Sequence, residues 1–245
     1  EFDYGYAQLV ENLKEAKFDT VCCNVLGEDG KPVLDGSKVI TVGDVKIGFI
    51  GVNTPESQTK ANPALIKGLT WLAGNDMVKA VQAEADKLKA EADVIVVLAH
   101  LGVDAESKPN RSTDLWAGLK GVDFIIDGHS HTVMTAGEGG EPIQSTGTAF
   151  QNIGVIVIDN ATKKIESNKL VEITADSAKD ETVAAAAQAI TDAINKEYGT
   201  VFAKNEVKLN GDKAYNKDTG LYGNRDGETN LGNLITDSMV WTVKK

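Results

Sequence analysis

The sequence predicts an α/β fold in which interior strands alternate with amphipathic helices. Three observations support this. Asp93–Ala99 reads DVIVVLA, a continuous β-branched and apolar run of the kind found in strands buried on both faces. Val122–Ile126 repeats that character in shorter form. The stretches before them, Asp76–Ala90 and Thr113–Leu119, are patterned as helices; in the first, Met77, Val78, Val81, Ala85 and Leu88 are the apolar positions of an Ala-, Lys- and Glu-rich segment.

The other elements follow along the chain. Tyr6–Ala16 sets Leu9, Val10, Leu13 and Ala16 on one helical face. Phe18–Val25 reads as a short strand, and Gly27–Gly36 as a loop rich in Gly, Asp and Pro. Lys38–Val42 and Val45–Val52 are two strands joined by Gly43–Asp44, a two-residue hairpin signal. Ile143–Ser145, Gly154–Asp159 and Lys164–Thr174 complete a strand-rich block. The composition changes after Ala175. Asp180–Tyr198 is a long Ala-rich helix with Asp180 or Thr182 as its N-cap and Gly199 at its end. Val201–Leu209 then reads as a strand, Asn210–Asn224 as a polar loop and Thr229–Trp241 as a helix. The expected organisation is a first domain over 1–175, a linker helix over 176–200 and the start of a second domain over 201–245.

Composition narrows the function classes. Apolar residues make up 42% of the chain and charged residues 25%, ordinary for a globular protein. No apolar run approaches the roughly 20 residues that a membrane-spanning helix needs. The net charge of −11, with no Lys/Arg-rich run, repels a polyanion, so no nucleic-acid polymer is expected as partner. Cys22 and Cys23 are adjacent, a spacing that suits neither a zinc site nor an ordinary disulfide, and they read as buried apolar residues. The chain opens on Glu1 and not Met, so a preceding segment is expected.

The chemistry centres on the three histidines. His129 and His131 stand in Asp127-Gly-His-Ser-His-Thr132, directly after the apolar strand Val122–Ile126, and His100 directly follows Asp93–Ala99. In α/β sheets the carboxyl ends of strands line the ligand crevice, so both segments are expected to open onto one pocket. Imidazoles there suit zinc, manganese or iron, although carboxylates are needed to complete and bridge a pair of ions. Solvated loop histidines or satisfied core ones are the alternative, weakened because all three occupy such positions.

Four segments together resemble one family: GHSHT at Gly128–Thr132, the strand with AHLG at Asp93–Gly102, KIGFIGVNTPES at Lys46–Ser57 and RDGETNLGNLITD at Arg225–Asp237. They resemble the 5'-nucleotidases of the calcineurin-like metallophosphoesterases, in that family's order and over nearly the whole chain. The opening EFDYG, Glu1–Gly5, is similar to the tail of the family's GNHEFDYG motif.

The resemblance implies a partial four-layer α-β-β-α sandwich followed by a connecting helix and the beginning of a second α/β domain. It implies a secreted, periplasmic or cell-surface phosphoesterase that uses two divalent metal ions, zinc, manganese or similar, on a nucleotide or other small phosphate ester. His100 and His129 would bind one metal and His131 the other. Asp3 would match the aspartate that orients a catalytic histidine, and Arg225 an arginine facing the substrate phosphate. Thr54-Pro55-Glu56 reads first as a structural turn, and Asn24 first as a turn or strand-end residue.

The family's Asp-x-His motif, bridging aspartate and Asn-His pair have no counterpart in the sequence. The expectation is therefore a chain truncated at both ends that is inactive alone and holds at most one weak metal. Exposed sheet edges, covered by a companion fragment or a swapped dimer, go with it. Rival readings are a 2',3'-cyclic-nucleotide phosphodiesterase/3'-nucleotidase or UDP-sugar hydrolase of the same family, and a non-catalytic metal- or ligand-binding surface protein.

Overall fold

The computed structural model describes residues 2–201 and 203–244; Glu1 of the EFDYG segment, Phe202 and Lys245 lie outside the described residues. The chain divides into two compact units, Glu1–Ser177 and Ala178–Lys245.

In the first unit, Phe2 is buried edge-on against Trp71, ring centroids 5.0 Å apart, and so anchors the turn that leads into helix α1 (Tyr6–Glu15). Of the expected strand Phe18–Val25, only its last residue is in a strand, β1 (Val25–Leu26). The cause is steric. The chain at Val21 passes so close to β3 that a Cβ on Gly51 would lie 1.9 Å from the Val21 carbonyl oxygen. Cys22 N–H donates to Asp35 and Cys23 N–H to Gly51, isolated bonds to two different segments in place of a ladder. The two cysteines still alternate. Cys22 joins Phe2, Val25 and Trp71, while Cys23 enters the main core with Ile50 and Val52, and neither is in a disulfide among the described residues.

The hairpin forms as the sequence predicts. Strands β2 (Ser37–Val42) and β3 (Val45–Asn53) pair from Val42 opposite Val45, and Gly43 at φ 59° supplies the positive φ that so tight a connection requires. A single turn, α2 (Ser57–Lys60), and strand β4 (Thr70–Trp71), antiparallel to β1, follow. Helix α3 (Gly74–Leu88) buries Met77, Val81, Ala85 and Leu88, one stripe at helical spacing. After β5 (Val94–His100) come a 3-10 turn at Ala105–Ser107 and helix α4 (Ser112–Gly118). Strands β6 (Phe124–Asp127), β7 (Val133–Met134), β8 (Ile143–Thr146), β9 (Asn152–Ile158) and β10 (Ile165–Glu172) complete the unit.

The six-stranded sheet runs β2-β3-β5-β6-β8-β7, with β3, β5, β6 and β8 parallel and antiparallel strands at both edges. One face, with Ile50, Val52, Ile95, Val97 and Ile125, packs on α3 and α4. The other, with Val45, Val94, Val96 and Phe124, meets Ile156, Ile158 and Ile165 of the β9–β10 pair. Helices, central sheet and second sheet thus form the α/β sandwich expected. Gln144, buried in β8, joins the two sheets by donating to Asn168 and to the Lys169 carbonyl. The outer face of β9–β10 leaves Ile153, Val157 and Val171 exposed.

The second unit holds α5 (Glu181–Tyr198) and α6 (Asn230–Val243). Asp180 caps α5 by accepting from Val183 N–H, and Thr229 caps α6 by accepting from Gly232 N–H. The described residues of Val201–Leu209 form no strand, contrary to expectation; Asn205 folds back on Val207 through both its side-chain oxygen and nitrogen. Such a local side-chain turn competes with strand pairing.

Candidate metal-binding site

Parallel strands β3, β5 and β6 end at one edge of the first unit. Asn53, the last residue of β3, is the register partner of His100, the last of β5. β6 ends one residue before Gly128 and its histidine loop. Three chain segments are thereby delivered to a common crevice.

Asp127, at the end of β6, ties together the turns that carry two of the histidines. Its Oδ1 accepts from the N–H groups of Leu101 (3.0 Å), Gly102 (3.2 Å) and Gly128 (2.8 Å), tying the turn after β5 to the turn after β6. Its Oδ2 is buried and takes no hydrogen bond among the described residues. The histidine loop is held in uncommon backbone conformations, His129 at φ 78° and His131 at φ 55°. Residues without glycine's freedom persist there only where the surroundings over-determine them, a pattern that gathers at functional sites. Part of the surroundings is Gly102 at φ 73°, where a Cβ would stand 3.0 Å from Ser130. Ser130 Oγ in turn accepts from Val103 N–H and pairs with Thr132 Oγ1.

The structure brings His100 and His129 together, ring centroids 5.1 Å apart. His129 Nε2 also lies 3.2 Å from Glu56 Oε2. Glu56 stands just past β3, four-fifths buried, and accepts as well from Lys60 Nζ (2.6 Å) and Ser107 Oγ. Lys60 above all, then Ser107 and His129, hold its carboxyl at about 2, well below the usual carboxylate range. A cavity of about 210 Å3 opens between Asp3, Glu56, Lys60, His100 and His129.

Asp3 therefore lines the same cavity as two of the histidines. His131 is exposed, and among the described residues no group of three or more His, Cys, Asp or Glu side chains is arranged to hold a metal ion. His100 and His129 are in ring contact, and no ring contact of His131 occurs among the described residues. Arg225 lies in the second unit, exposed, with its N–H donating to the Lys213 carbonyl. From the sequence, Glu56 reads as part of a turn and Asp127 carries no role. Their signal was position: each is an acidic residue at or just past the end of a buried strand.

No protein-family model matches the chain. It is 32% identical, over its whole length, to a protein of Bacillus subtilis named endonuclease YhcR, of which it spans 21%. It is also 32% identical over 144 residues to human 5'-nucleotidase, a match covering 56% of this chain and 23% of that one. The chain is a homologue of the 5'-nucleotidases. It spans between a fifth and a quarter of the length of these two relatives. The fold of this 5'-nucleotidase homologue is that of the calcineurin-like phosphoesterase YfkN of B. subtilis, which it matches at a TM-score of 0.68 and 23% identity, over 81% of this chain and 69% of that one. Among the described residues no helix is long and apolar enough to cross a membrane.

Proposed function

We propose that the crevice at the ends of β3, β5 and β6 belongs to a metal-dependent hydrolase of nucleotide phosphate esters. The observation that supports this most directly is the approach of His100 to His129 at the sheet edge where two buried strands end. The donor set fits an ion in part. Two imidazoles offer neutral nitrogen ligands, and a buried, unpartnered Asp127 oxygen suits a cationic neighbourhood. A divalent ion bound there supplies polarisation of a phosphoryl oxygen and an activated water. The chain's own residues do the rest. His100 and His129 bring two imidazoles to one place, Asp127 fixes the two turns that carry them, and Asp3 places a carboxylate at the rim. Arg225, in the second unit, carries a guanidinium of the kind suited to a phosphate dianion. Two ions a few Å apart repel strongly without a bridging carboxylate. We therefore read this chain by itself as holding one ion weakly, with little turnover, and the whole protein as acting outside the cytoplasm.

The test is metal uptake of the purified chain, Zn2+ or Mn2+ measured by competition with a chelator. His129→Ala and His100→Ala should each abolish uptake. Equal metal content in wild type and both variants sinks the reading and leaves a purely structural module. A second reading has a specific observation behind it: the relative matched over the whole chain is named an endonuclease. A polynucleotide phosphodiester would then be the substrate, against the repulsion of a net charge of −11. Assays of the intact protein on a nucleoside monophosphate and on single-stranded DNA, side by side, separate the two.

A further inference from the structure

We propose that Glu56 is a positioning residue that holds the His129 imidazole with its proton on Nε2, leaving Nδ1 as the ring's lone-pair donor for a cation. This rests on the metal reading above and specifies how one ligand of that site is prepared. A neutral imidazole has one N–H and one lone pair, and a carboxylate without its proton can only accept. The 3.2 Å contact between His129 Nε2 and Glu56 Oε2 is therefore an N–H donating to a carboxylate. With that proton placed on Nε2, Nδ1 is the atom left to ligate.

Three features show that Glu56 is built for orientation. Lys60 Nζ and Ser107 Oγ donate to the same carboxylate, so both its oxygens are already occupied. Such a group is better suited to orienting a ligand than to being one. Lys60 reaches Glu56 from one helical turn away in α2, and Ser107 from the 3-10 turn after β5, so two separate elements fix the carboxylate. The Thr54 hydroxyl also accepts from Glu56 N–H at 3.3 Å, which holds the residue's backbone at the end of β3. Carboxylates that orient metal-ligating histidines through the second ring nitrogen typically alter metal affinity by 10–100-fold.

The experiment uses the whole chain with 15N-labelled histidine, freed of metal, at a pH where the rings are neutral. Long-range 1H–15N spectra report which nitrogen of each ring carries the proton. Wild type should show His129 as the Nε2–H tautomer. Glu56→Leu, which can accept no hydrogen bond, should lose that fixed tautomer, while Glu56→Gln, whose amide oxygen still accepts, should keep it; His100 and His131 signals stay in place in both and certify the fold. Lys60→Met should keep the tautomer. Mn2+ titration should then weaken 10–100-fold in Glu56→Leu. An unchanged His129 tautomer in Glu56→Leu overturns the proposal, as does Mn2+ affinity equal to wild type in that variant. Should wild type take up no Mn2+, the metal reading fails while the tautomer spectra still decide what Glu56 does.

Discussion

Asn24 grips the backbone of Asn53 from both sides. Its Nδ2 donates to the Asn53 carbonyl at 2.7 Å and its Oδ1 accepts from Asn53 N–H at 2.9 Å, while Nδ2 also reaches the Leu72 carbonyl at 3.2 Å. A fully buried side-chain amide thus does what a neighbouring strand would do at the last residue of β3. Asn53 is the register partner of His100, and its own Oδ1 accepts from Trp71 Nε1 and Ser57 Oγ. Asn24→Ala strands buried polar groups on Asn53 and Leu72, each costing about 1–3 kcal/mol. We expect a destabilisation of about 3 kcal/mol, read as a lowered urea midpoint with an unchanged slope. A loss under 1 kcal/mol would show that water replaces the amide without penalty.

Gly102 gives a second prediction, about the histidine loop and not global stability. At φ 73° an added Cβ is strained whatever the space, and here it also meets Ser130 backbone and side chain at 3.0 Å. Neither the Ser130 backbone nor its neighbours move freely, because Asp127 ties Leu101, Gly102 and Gly128 together. Gly102→Ala should displace the His129 ring from His100 and lower metal uptake at least tenfold. Gly30→Ala, at φ 74° but with open space about it, is the control that carries backbone strain without the clash. Equal metal uptake by the two variants would show that the contact with Ser130 does not matter.

Much of this was legible in the sequence, for physical reasons that differ from element to element. The runs ending at Ala99 and Ile126 read as interior strands, and the ends of neighbouring strands in such sheets open onto one crevice, so the proximity of His100 and His129 could be anticipated from pattern alone. Gly43 and Asp180 announced a hairpin and a helix cap because each supplies a local conformation or bond that few residues can. Phe18–Val25 misled because its strand character was real, but a long-range contact with Gly51 decided its backbone. Glu56 stayed hidden for a related reason. Its partners Ser107 and His129 lie 51 and 73 residues away, beyond any local pattern. His131 shares the loop and spacing of His129, yet its side chain is exposed, which no spacing rule anticipates.

Cys23 supplies a prediction about reactivity. Burial first, then the neighbouring Cys22 and Glu84, push its thiol up to about 12. The thiolate is the reactive form, so native Cys23 should be inert toward a disulfide reagent at pH 8. Counting modified thiols by mass in native and urea-unfolded protein checks this. Cys23 should react in the unfolded chain alone, and modification of the folded protein within minutes would show that the core opens locally.

Arg111 and Asp114 predict how stability varies in acid. The guanidinium makes a two-pronged contact, Nε to Oδ2 at 2.9 Å and a terminal nitrogen to Oδ1 at 2.7 Å, while Arg111 N–H adds a bond to Oδ2 at 3.2 Å. This closes the first turn of α4, and the Arg111 side chain above all holds the Asp114 carboxyl below its ordinary value. A carboxyl whose pKa is depressed on folding stabilises the native state above its unfolded pKa, near 4, and loses that contribution as pH falls through the lower native value. The pair is about three-quarters buried, so solvent screening keeps its worth to about 1 kcal/mol. Arg111→Met should therefore be less stable than wild type by about that amount at pH 7. The gap should narrow steadily below pH 4 in paired urea titrations. A gap that stays constant down to pH 2 would mean that Arg111 contributes through its aliphatic stem and not through Asp114.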